Sequence, residues 1–76
     1  MFRIGHTLAR FPQHELSIRR LYRQDPAFRG ICDDYEDAVS AAELWESRGD
    51  ARAADYHRLA QEVLVEIGAF LVPFKE

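Results

Sequence analysis

The stretch DPAFRGICDDYEDAVSAAELWESRGD, residues 25–50, decides the fold. Asp25 is a strong helix N-cap, because its carboxylate can accept hydrogen bonds from the free N–H groups of a first turn, and Pro26 suits the first helical position that follows. Phe28, Ile31, Tyr35, Ala38, Ala42 and Trp45 then recur at spacings of three and four, a heptad seam of nearly three repeats. Cys32, Val39 and Leu44 widen that seam on either side. Gly49 enters the left-handed region without steric cost and marks the stop. The spacing predicts a helix over 26–47.

Working outward, Asp50 is placed to cap a second long helix. Tyr56, Leu59, Ala60, Val63, Leu64, Ile67, Phe70 and Leu71 supply its apolar stripe, and Pro73 closes it, which predicts a helix over 50–71. Each helix has about 22 residues and spans roughly 33 Å. A connection as short as 47–50 requires the two to run antiparallel, as an αα-hairpin. Upstream, Pro12 suits a first helical turn, and Leu16, Ile18, Leu21 and Tyr22 form a short stripe that must end before Pro26. This predicts a short helix over 12–24. Residues 1–11, with Leu8 and Phe11, read either as a backward extension of that helix or as a separate docking arm. The whole chain, 1–76, reads as one all-α domain.

A chain of 76 residues buries only about 60% of its unfolded surface, so its core is marginal without help. Disulfides cannot supply it, because Cys32 is the one cysteine. A lone thiol fits a reducing cytoplasm better than a secreted scaffold. The stripes, rich in aromatics, are too broad for two helices to cover. The expectation is a helical bundle completed by dimerisation, with another protein as an alternative partner. Phe28, Ile31, Tyr35, Trp45, Leu59, Val63, Ile67 and Phe70 are the core or interface candidates.

The stretch 18–38, from Ile18 through Asp25, Phe28 and Tyr35 to Ala38, resembles the opening of the YdcH-like proteins, short bacterial helical hairpins of unknown function. Leu21, Asp25, Phe28, Tyr35 and the later helix from Tyr56 to Leu71 match that pattern in order, over roughly residues 15–71. The chain departs from it in carrying a single lysine, Lys75. The resemblance implies the hairpin and no activity.

Composition argues against several function classes. A net charge of −3 and a pI near 5.5 give no general attraction to nucleic acid or anionic lipid. No apolar run approaches the ~20 residues of a membrane span. No Glu-x-x-His, His-x-x-x-His or Cys-x-x-Cys occurs, so neither a metal nor another cofactor is expected. Cys32 adjoins the seam, where a thiol behaves as a small hydrophobe rather than a nucleophile. The expectation is a protein that is not an enzyme.

Charge is uneven along the chain. Residues 1–30 hold six arginines against Glu15 and Asp25, whereas residues 31–50 hold seven acids against Arg48. Asp33, Asp34, Glu36 and Asp37 read as a solvated face at the favourable end of the helix dipole. Arg19, Arg20, Arg23 and Arg29 then have two uses: tracking phosphates, as in a nucleic-acid-associated accessory protein, or matching this acidic segment within the chain or across a dimer. The net charge and the lack of a nucleic-acid-binding signature favour the second.

Overall fold

The computed structural model describes residues 4–73, and these are helical with no strand among them. Four helices follow in order: α1 (Gly5–Arg10), α2 (Glu15–Gln24), α3 (Pro26–Ser47) and α4 (Arg52–Leu71), with a 3-10 turn over Pro12–His14 before α2. The segment expected as one helix over 12–24 is therefore divided. Pro12 opens a tight turn, and the regular helix begins at Glu15. Residues 4–11 form the separate helix α1 rather than an extension of α2. Residues 1–3 lie outside the described residues.

Local chemistry sets the boundaries. Asp25 ends α2 and starts α3: its backbone is extended, and its carboxylate accepts from the N–H groups of Ala27 (2.9 Å) and Phe28 (3.2 Å). Arg29 reinforces the junction. Its guanidinium donates to the carbonyls of Tyr22 (2.9 Å) and Arg23 (3.0 Å), which α2 leaves unpaired at its end. At the other end of α3, Gly49 takes φ +64°. Its N–H donates to Glu46 and that of Asp50 to Trp45, both at 3.0 Å, the Schellman pattern. Asp50 precedes α4, which starts at Arg52 rather than at residue 50. Its carboxylate accepts from the Arg52 N–H at 2.8 Å and from the Arg52 guanidinium at 2.8 and 3.0 Å.

The largest packing surface lies between α3 and α4. They run in opposite directions: His57 approaches Glu46 near the turn, and Phe28 meets Phe70 edge-on at 5.3 Å at the far end. Between these contacts Phe28, Tyr35, Ala38, Ala60, Val63, Ile67 and Leu71 are buried. Helices α1 and α2 both pack on α3, bringing Ile4, Ile18 and Tyr22 into the same core beside Cys32. The molecule is elongated, 39 × 24 × 20 Å, and its radius of gyration of 12.9 Å exceeds the roughly 11 Å of a compact domain this size.

Candidate functional site

The two flanks of α3 meet different surroundings. One flank carries Arg29, Cys32, Asp33 and Glu36, at helical spacing, and is covered by α1 and α2. Glu36 is 4% exposed. One of its oxygens accepts from the Thr7 N–H (2.8 Å) and hydroxyl (2.9 Å), and the other from the His6 N–H (3.3 Å) and Nδ1 (2.8 Å). Glu36 thereby caps the N-terminus of α1, which has no side-chain cap of its own. The Tyr22 hydroxyl donates to Asp33 at 2.6 Å, and this bond, ahead of burial, raises the Tyr22 pKa. Burial, with Asp33 and Glu36 nearby, pushes the Cys32 thiol up to about 12 against the opposing influence of the neighbouring Thr7 side chain. At neutral pH that sulfur is a protonated, fully enclosed packing group.

These contacts correct two expectations. Glu36 is not part of a solvated face. The sequence clue was its position four residues after Cys32, on the border of the seam, which places a carboxylate beside the core. Nor, among the described residues, do Arg19, Arg20, Arg23 or Arg29 form an ion pair with the acids of the 31–50 segment. Arg19 pairs with Glu15 at 3.0 Å along α2, and Arg29 serves the α2 carbonyls. Arg20 and Arg23 are exposed and make no ion pair among the described residues. The acids of α3 are met instead by Tyr22, His6 and Thr7.

The other flank of α3 is open. Ile31, Asp34, Ala38, Ala41 and Trp45 recur on it at spacings of three and four, and Tyr56, Leu59, Val63, Glu66 and Phe70 do the same along α4. Two grooves lie between these stripes. The first, about 380 Å³, is lined by Asp34, Asp37, Ala38, Ala41, Tyr56, Leu59 and Val63. The second, about 600 Å³, lies towards the far end of the pair, between Leu21, Asp25, Ile31, Glu66, Ala69, Phe70 and Pro73. Both have apolar floors and carboxylates at their edges. Alanines on the α3 side keep the first groove shallow and leave its backbone approachable.

Of the apolar residues singled out from sequence, Phe28, Tyr35, Val63 and Ile67 are buried, Ile31 and Phe70 are half-buried, and Leu59 is 45% exposed. Trp45 is also half-buried and stands outside the core. The Arg52 guanidinium lies 3.7 Å from its ring centroid and that of Arg48 5.5 Å away, so two cations cover its faces. Leu44, expected to widen the seam, is 47% exposed.

Among the described residues no group of three His, Cys, Asp or Glu side chains is placed to hold a metal ion, and no helix is long and apolar enough to cross a membrane. Comparison with protein-family models, with curated proteins and with solved structures finds no match for this chain.

Proposed function

We propose that this protein is a non-enzymatic interaction module of the cytoplasm: a helical hairpin of α3 and α4, braced on one flank by α1 and α2, that is completed into a bundle by self-association through the other. The observation that carries this reading is the open flank, where two adjoining apolar grooves run along both long helices. A monomer gains nothing from keeping Leu59 at 45% exposure beside such grooves, whereas a docked helix face removes them from water at about 25 cal/mol per Å². The lone buried thiol suits a reducing compartment, and the resemblance to YdcH-like hairpins agrees with a small helical module.

Sedimentation velocity over a micromolar concentration series tests the proposal. A concentration-dependent dimer that Leu59→Glu abolishes, with helicity unchanged by circular dichroism, supports it. A wild-type monomer at every concentration overturns it.

A second reading draws on the outward face of α2, where Arg20 and Arg23 are exposed without an ion pair among the described residues. It is nucleic-acid association. A salt-sensitive mobility shift that Arg20→Ala and Arg23→Ala weaken supports it, and no shift at low salt removes it.

A further inference from the structure

The charges along the open flank fall in an order that bears on how two copies fit: carboxylates (Asp34, Asp37, Asp25 and Glu66) line the two grooves, and cations stand at the turn end. At the turn end stand Trp45 and the guanidinium groups of Arg48 and Arg52, 5.5 and 3.7 Å from its ring centroid. Arg52 shares its charge with Asp50 at 2.8 Å, while Arg48 makes no ion pair among the described residues. At the opposite end lies the larger groove, apolar in its floor and edged by Asp25 and Glu66. One end is thus an aromatic ring among cations, and the other an apolar cleft between carboxylates.

Spacing matches these ends to each other. On α3, Ala38 lies seven positions from both Ile31 and Trp45; on α4, Leu59 lies seven positions from both Arg52 and Glu66. Ala38 and Leu59 line the same, smaller groove. A two-fold axis that crosses both helices at this level therefore carries Trp45 onto the partner's Ile31 and Arg52 onto the partner's Glu66. The crossing falls beside Ala41, whose small side chain lets two helices come close, while Ala38 itself belongs to the core.

We infer that the occupant of the open flank is a second copy of this chain, docked antiparallel about a two-fold axis at Ala38 and Leu59, each Trp45 entering the other copy's groove of Leu21, Ile31 and Phe70. This rests on the self-association proposed above and adds its face and orientation. The competing arrangement has the two-fold axis along the helices. It brings arginines onto arginines at the turn end and the carboxylates of one copy onto those of the other at the far end, and like charges brought together oppose association.

Charge reversal with rescue tests the arrangement. Glu66→Arg and Arg52→Glu each alter an exposed side chain, and each should weaken dimerisation about tenfold or more by sedimentation. The double variant, which restores opposite charges across the same axis, should recover most of that loss. A spin label at Ser47→Cys, in a Cys32→Ala background, gives an independent measure. Antiparallel docking puts the two labels about 27 Å or more apart along the helix direction, whereas docking along the helices puts them side by side. A wild-type monomer overturns the self-association itself. A dimer that the single reversals leave intact, that the double variant does not rescue, or whose labels are adjacent keeps self-association and overturns this geometry.

Discussion

The two flanks of α3 differ in how they are finished. The covered flank ends in directional contacts: Glu36 holds the start of α1, Asp33 holds Tyr22, and Arg29 holds the end of α2. The open flank has alanines, a half-buried tryptophan and grooves, with the carboxylates of Asp34, Asp37 and Glu66 among their lining and guanidinium groups at the turn end. A flank fixed by hydrogen bonds is committed to one neighbour in its own chain. A flank of shallow apolar surface with charges at its edges is suited to a neighbour that arrives from outside.

Substitutions on the covered flank should therefore damage folding, and those on the open flank should spare it. The largest effect is expected at Ile18, which is fully buried where α2 meets α3; Ile18→Ala should cost about 2–5 kcal/mol by urea denaturation. Glu36→Gln keeps the shape but leaves four donor contacts on a neutral, partly mismatched group. A loss of about 1–3 kcal/mol, with α1 amides exchanging faster, would sharpen the contrast. Trp45→Ala should cost only about 1 kcal/mol in the monomer, since it removes cation–π contacts rather than core packing, while lowering any dimer affinity far more. Leu59→Ser is expected to change monomer stability by less than about 0.5 kcal/mol. An equal loss at Ile18 and Leu59 would erase the distinction between the flanks.

Alkaline pH gives a smaller effect on the covered flank alone. The Cys32 thiol is raised from an ordinary 9.0 to about 12, and Tyr22 and Tyr35 are raised as well. Above pH 9 the unfolded chain releases the thiol proton while the folded chain keeps it, so the unfolded state gains. Cys32 thus supports the fold fully below pH 9 and loses that contribution between 9 and about 12. Denaturation midpoints should fall over this range, less steeply in Cys32→Ala, and native Cys32 should resist alkylation at pH 8.

What could be read from sequence was whatever a few adjacent residues decide. Asp25-Pro26 and Gly49-Asp50 act through their own backbone angles and side-chain reach, so the turns they make need no distant information. The burial of Phe28, Tyr35 and Ile67 follows from helical spacing. The rest depended on partners far along the chain. The place of Glu36 on the border of the seam sets it beside the core, but its partners His6 and Thr7 lie 30 and 29 residues away and no local pattern names them. Trp45 continues a perfect heptad spacing, but spacing does not foresee the guanidinium groups of Arg48 and Arg52 that lie over its ring. The charge asymmetry between residues 1–30 and 31–50 was visible, yet composition does not say which side chains meet, and Arg20 and Arg23 make no ion pair among the described residues. The open flank itself was hidden in a stripe that looked uniformly apolar.

The capping of α1 by Glu36 also sets an order of events. A helix of six residues is too short to persist alone, and the carboxylate that completes its first turn belongs to α3. It can form only after α3 has formed, and it opens before α3 does. In native-state hydrogen exchange α1 should behave as the least protected unit of the chain, its amides releasing deuterium while those of Tyr35 and Ile67 still report the intact core. The N-terminal segment is thus a built-in gauge of whether the long helix beneath it is whole.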